Sequence, residues 1–270
     1  MNLPLSVEVQ TLHQHLDDPQ VLVIDLSSEE NYLAGHIPGA IHLASSRLLN
    51  GEKPVPNTIP TKEKLAALYN ELGITADTWV VAYDDQKGPW AGRFMWTLNI
   101  LGHQNCSVLN GQFDAWKQAG LAIEQQKNQA SPSNHEINYD DSLLADADFI
   151  LSHLDDANFT IWDARSAAEY SGEKVINAQK GGHIPGAKHF EWTDCLISDS
   201  DLRLKPKEEL LSLLADAGIN PENTIITHCQ THRRSGLTYW VAKRLGFEDI
   251  RCYDGSWFEW GNLPNTPVEK

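Results

Sequence analysis

Apolar residues along this chain fall into short continuous runs separated by stretches with helical spacing. VLVID ending at Asp25, WVVAY around Val81, TIWDA around Asp163 and TIITH around Ile226 have the length and β-branched content of buried strands. After TIITH, Leu237, Trp240, Val241 and Leu245 follow the i, i+3, i+4, i+8 pattern of a helix laying one face on a sheet. Strand and helix alternate, which predicts an α/β fold built on a mostly parallel sheet.

The pattern occurs twice. GHIPGA stands at 35–40 and again at 182–187, Leu101-Gly102 recurs as Leu245-Gly246, and NGQFDAW at 110–116 recurs as DGSWFEW at 254–260. The offsets are 147, 144 and 144 residues, so one unit has been duplicated with small insertions. Between the copies, EQQKNQASPSNHEINYDD at 124–141 has the Pro, Ser and Asn content of a connecting segment. The expected organisation is a first domain at 1–124, a linker at 125–141 and a second domain at 142–270.

Composition narrows the function. With 270 residues and 41% hydrophobic content, the chain can bury two ordinary cores. The opening MNLPLSVEVQ lacks a basic segment leading into an apolar run, and no stretch approaches the roughly 18 apolar residues of a membrane span. A soluble, cytoplasmic protein is expected. A formal net charge of −16 repels nucleic acid and anionic membrane, and it disfavours anionic substrates unless a site is locally basic. Cys106, Cys195, Cys229 and Cys252 are scattered without metal-ligand or disulfide-framework spacing, so neither a metal nor a cofactor is implied. For three of the four the reading is a buried, inert thiol.

Cys229 differs. It opens CQTHRRSG at 229–236, directly after the TIITH strand and before a helix, where open α/β sheets bind ligands. Free backbone N–H groups, the positive end of a helix and the nearby His232, Arg233 and Arg234 all favour thiolate over thiol. The same basic groups form a local anion site in an otherwise acidic protein. The first copy carries Asp84 and Asp85 at this place, and Ser27 where the second has Arg165. His36 and His183 occur in both GHIPGA copies, which marks them as structural. Arg165, in its Asp-x-Arg setting with Asp163, reads as structural too, and Lys180 and Trp192 stay outside the catalytic set.

On CQTHRRS, Asp163-x-Arg165, Glu169-Tyr170, GHIPGA and the closing Gly255-x4-Trp260, all in order, the chain resembles the tandem-domain rhodaneses. CQTHRRS is similar to the active loop of bacterial thiosulfate sulfurtransferases. The resemblance spans essentially the whole chain and implies two rhodanese-like domains, each a mostly parallel sheet flanked by helices. It implies that Cys229 takes the outer sulfur of thiosulfate as a persulfide and passes it to cyanide or a thiol by ping-pong kinetics. Backbone N–H groups from Gln230, Thr231, His232, Arg233, Arg234 and Ser235 would hold the terminal sulfur, and His232, Arg233 and Arg234 the sulfonate. The first domain would be noncatalytic and cover the site.

Three rivals remain. Cysteine phosphatases usually carry Cys-x5-Arg, whereas here Arg234 makes Cys-x4-Arg, a smaller cradle. Sulfurtransferases for 3-mercaptopyruvate usually have an uncharged, glycine-rich loop and an arginine near the place of Glu169, and this chain departs on both counts. The third reading is a carrier that delivers its persulfide to a partner protein.

Overall fold

The computed structural model describes residues 2–270. The first half runs β1 (Ser6–Val7), α1 (Val9–Gln14), β2 (Val21–Asp25), α2 (Glu29–Ala34), β3 (Ile41–His42), α3 (Lys62–Glu71), β4 (Trp79–Tyr83), α4 (Pro89–Ile100), β5 (Cys106–Leu109) and α5 (Gln112–Gln118). The second half repeats the order as β6 (Leu144–Ala145), α6 (Ala147–Ser152), β7 (Phe159–Asp163), α7 (Ala167–Tyr170) and β8 (Lys188–His189). It continues with α8 (Lys207–Asp216), β9 (Thr224–His228), α9 (Arg234–Leu245), β10 (Ile250–Tyr253) and α10 (Ser256–Trp260). Each half is a five-stranded sheet, ordered β1-β5-β4-β2-β3 and β6-β10-β9-β7-β8, with every pairing parallel.

The apolar runs of the sequence are the interior strands. β4 is buried at every position, as a parallel strand covered on both faces must be. The two-residue strands β1, β3, β6 and β8 lie at the sheet edges.

Two helices join the halves. α4 is buried along all 12 of its residues and packs on α9 between the two sheets. They cross at Gly92 and Gly236, equivalent positions 144 residues apart. A Cβ on Gly92 would stand 2.2 Å from the Gly236 carbonyl oxygen, and one on Gly236 would stand 2.5 Å from Pro89 O. Only glycine permits this approach. The apolar cluster here runs continuously through both halves, with Leu65 and Trp96 from one and Trp162 and Trp240 from the other. Each half keeps a smaller cluster on the opposite face of its sheet.

The segment read as a linker is irregular chain fastened to the first half. Ser133 Oγ donates to Ile74 O at 2.7 Å, His135 N to Asn70 Oδ1 at 2.7 Å, and Asn128 N to Tyr32 Oη at 3.0 Å. Among the described residues no helix is long and apolar enough to cross a membrane.

Candidate active site

β9 delivers Cys229 to the carboxyl edge of the second sheet, and α9 starts five residues later at Arg234. The loop between them is pinned from the α10 side. Trp257 N donates to Cys229 O at 3.0 Å, Phe258 N to Gln230 O at 2.9 Å, and Cys229 N to Ser256 Oγ at 3.4 Å. With these carbonyls turned toward α10, the N–H groups of Thr231 and Ser235 and the Ser235 hydroxyl are free to bond the sulfur. His232 adopts φ 52, a left-handed conformation uncommon outside glycine, and this closes the turn.

The Cys229 side chain is 1% exposed. Burial alone would raise its pKa, but the Arg234 charge, the Ser235 hydroxyl and the two N–H groups outweigh it and bring the thiol below its ordinary value. Arg234 is held in place by Glu169, whose carboxylate accepts its two terminal nitrogens at 2.7 and 2.8 Å. Glu169 is fixed by a capping box with Ser166 at the start of α7. The other three thiols are also buried. Burial pushes Cys106 up to about 12 and raises Cys195 and Cys252 above the ordinary range, so they stay protonated.

The loop residues divide into two groups. Cys229, Thr231, Arg234 and Ser235 converge on one point. Gln230 turns its amide to Ile176 O at 2.5 Å, and exposed Arg233 reaches Gln86 of the first half at 3.2 Å, its guanidinium 6.0 Å from the Trp90 ring. His232, expected among the anion-binding groups, points the other way. Its ring is wholly buried, edge-on to Trp96, and burial holds its pKa well below the ordinary value. Its Nδ1 meets Ser235 Oγ at 2.7 Å, and Ser235 in turn bonds the Cys229 sulfur.

The remaining motif residues are structural by their surroundings. His36 stacks on Tyr32 at 3.8 Å and His183 on Tyr170 at 3.7 Å, each with Nδ1 on that tyrosine's carbonyl. Arg165 binds Asp163 at 2.6 Å and Gly182 O at 2.7 Å, and covers the Trp257 ring at 4.2 Å. Lys180 Nζ donates to Leu263 O and Thr266 O, closing down the C-terminal segment.

The Rhodanese-like domain profile matches residues 8–119 and again 146–263. The chain belongs to the rhodanese family. It is 42% identical over 268 residues to the thiosulfate sulfurtransferase of Azotobacter vinelandii, covering 99% of this chain and 98% of that protein. It is 41% identical, with the same coverage, to the thiosulfate sulfurtransferase of Pseudomonas aeruginosa. Among solved structures, the anaerobic ergothioneine biosynthesis enzyme of Chlorobium limicola, bound to trimethyl histidine, superposes with a TM-score of 0.86. That similarity is 26% in sequence and covers 98% of this chain and 70% of the other.

The first rhodanese-like half holds the same loop in a different state. Asp84 takes the place of Cys229 at the end of β4, and its N–H donates to Gln112 Oε1 at 2.9 Å, as Cys229 N does to Ser256. The Asp84 carboxylate accepts from the N–H groups of Gln86, Gly88, Trp90 and Ala91 at 2.7 to 3.1 Å. The cradle that the second half offers to a sulfur is here filled by the protein's own carboxylate. A cavity of about 370 Å³ opens beside it, lined by Asn31, Asp85, Phe113 and Lys117 among others.

Proposed function

We propose that this protein is a thiosulfate sulfurtransferase in which Cys229 carries the transferred sulfur. The observation that carries the reading is the buried thiol set in a ring of N–H donors beside Arg234, with its pKa lowered despite burial. In the first step the Cys229 thiolate attacks the outer sulfur of thiosulfate. The bond from that sulfur to the sulfonate sulfur breaks, its electron pair leaves with sulfite, and a Cys229 persulfide remains. In the second step cyanide or a thiolate attacks the terminal sulfur, giving thiocyanate or an acceptor persulfide and returning the thiolate. The N–H groups of Thr231 and Ser235 stabilise the anionic sulfur in both states. Arg233, the exposed cation of the Cys229 loop, is available to meet an incoming sulfonate, since Arg234 is engaged by Glu169.

In this reading 142–270 is the catalytic domain, 125–141 the linker, and 1–124 the noncatalytic cover, its cradle filled by Asp84. Four free cysteines suit a reducing compartment, and we assign the protein to the cytoplasm. Intact-mass spectrometry after thiosulfate tests the proposal. The expected result is a gain of one sulfur atom, removed by cyanide and missing in Cys229→Ala. No gain with thiosulfate but a gain with 3-mercaptopyruvate would overturn the substrate, and an unchanged gain in Cys229→Ala would overturn the mechanism.

A further inference from the structure

We propose that Arg93, in the noncatalytic half, is a positioning residue for sulfur transfer: its guanidinium holds the His232 peptide in the left-handed turn that aims the loop's donors at Cys229. This rests on the sulfurtransferase reading of the same site.

Arg93 lies on α4 and is 0% exposed. Its donors meet backbone carbonyls instead of a carboxylate: Nη1 to His232 O at 3.0 Å, Nη2 to Leu48 O at 3.0 Å and Asn57 O at 2.8 Å, and Nε to Leu48 O at 3.3 Å. A buried guanidinium without a directly bonded counterion carries a desolvation penalty that no ion pair offsets, so its presence calls for a compensating task. Burial draws its pKa down to about 10, with Asp254 and the Cys229 and Cys252 sulfurs opposing, so it stays charged at neutral pH.

The duplication supplies an internal comparison. At the 144-residue offset, His232 corresponds to Gly88, and Arg93 corresponds to Leu237. Lys87 at φ 76 and Gly88 at φ 101 make the turn in the first loop and His232 at φ 52 makes it in the second, so both loops turn left-handed at the same place. The silent loop divides the turn between Lys87 and a glycine, which adopts that conformation freely, and the neighbour across the helix crossing is apolar: Leu237 Cδ1 lies 3.5 Å from where a Cβ on Gly88 would be. The working loop makes the turn with the bulky His232 and no glycine, and here the neighbour is an arginine bonded to the carbonyl of that strained residue. The strained residue is worth keeping because its ring orients Ser235, which bonds the sulfur. Arg93 thus acts through His232 and does not touch the sulfur donor.

The charged and titratable groups facing Cys229 are His228 at the end of β9, Arg234 on α9, Cys252 on β10 and Arg93 on α4, with Asp254 beyond β10 facing Arg93. The test compares wild type with Arg93→Met, Arg93→Lys and the mirror variant Leu237→Met. The readouts are the pH profile of Cys229 alkylation by iodoacetamide and steady-state transfer from thiosulfate to cyanide. Arg93→Met is expected to move the alkylation midpoint upward and lower kcat about tenfold or more, with KM for thiosulfate little changed. Arg93→Lys keeps the charge and the fold, and should recover part of both. Leu237→Met should leave the midpoint at the wild-type value. An unchanged midpoint and kcat in both Arg93 variants, or an equal shift in Leu237→Met, would overturn the proposal. If wild type takes no sulfur from thiosulfate, the substrate reading fails, while alkylation, which needs no donor, still decides the role of Arg93.

Discussion

Replacing Arg234 by methionine removes a guanidinium that serves two carboxylate bonds and one sulfur. Glu169 is 3% exposed, and without Arg234 its carboxylate keeps only its bonds to Ser166, at 2.9 and 3.3 Å. Removing one partner of a buried pair typically costs about 3 to 5 kcal/mol, and the partial exposure of Arg234 places this case near the lower end. Adding Glu169→Gln makes the buried group neutral and should recover about 2 kcal/mol of that loss. Because the apolar core is continuous through both halves, urea unfolding should be one transition from which these differences can be read. The sign of the pH dependence provides a second check. In wild type, burial would raise the Glu169 pKa but Arg234, helped by Ser166, holds it below 4.5; with Arg234 gone only the two Ser166 bonds oppose burial. The folded state of Arg234→Met then favours protonated Glu169, so its deficit should be largest at pH 7 and shrink as pH falls toward the ordinary carboxylate range. Cys229 alkylation separates this structural effect from the chemical one. Its midpoint should rise in Arg234→Met and stay raised in the double variant, since neither restores a cation beside the sulfur. A double variant as unstable as the single one, or an alkylation profile insensitive to Arg234, would refute the assignment of these charges.

Among the four thiols, iodoacetamide should modify Cys229 first, with a rate that rises with pH to a midpoint below the ordinary value of 9.0; comparable labelling of Cys106, Cys195 or Cys252 in peptide maps would contradict their burial and raised pKa values. Asp84→Ala strips the acceptor from four N–H groups and should cost about 2 to 3 kcal/mol in denaturant melts, while folded protein still loads one sulfur. Asp254 is pushed up to about 6 by burial, so its contribution to stability should fall as pH rises from 3.8 through about 6; Asp254→Asn should abolish that slope in melts across the same range.

The duplication was legible because its landmarks are contiguous words at a nearly constant offset. Strands β2, β4, β7 and β9 were legible because interior parallel strands must be apolar on both faces. Edge strands β1, β3, β6 and β8 were not, since two residues carry no period. In the candidate site, Cys229 and the neighbouring basic residues lie within one short segment and could be read directly. The direction of each side chain could not, because it depends on a single left-handed φ at His232 that turns the ring inward and leaves Arg233 outside. Glu169 was noted as part of a motif and as a place where 3-mercaptopyruvate enzymes carry arginine, and Arg93 not at all. Their partners, Arg234 and His232, are 65 and 139 residues away in sequence. Ser166-x-x-Glu169 has the form of a capping box and could have marked the start of α7, but no local pattern announces that its glutamate also holds an arginine of the Cys229 loop.

One consequence of the shared helix crossing is that the two halves cannot be chemically independent. Gly92 and Gly236 bring α4 and α9 so close that each helix's first turns lie against the other half's loop, and what one half presents there sets the conditions for the other. The two loops answer the same geometric demand differently. In the first, a carboxylate occupies the N–H ring and Lys87 with Gly88 makes the turn, so the loop is complete without a ligand. In the second, a thiolate occupies the ring, a histidine makes the turn at a cost, and the compensation comes from an arginine across the crossing. Once that asymmetry exists, restoring chemistry to the first loop would take more than Asp84→Cys. That loop is one residue longer between Asp84 and Gly92 than between Cys229 and Gly236, and Leu237 offers no charge where Arg93 stands for the other. Asp84→Cys should therefore give a protein that still loads one sulfur atom, on Cys229 alone.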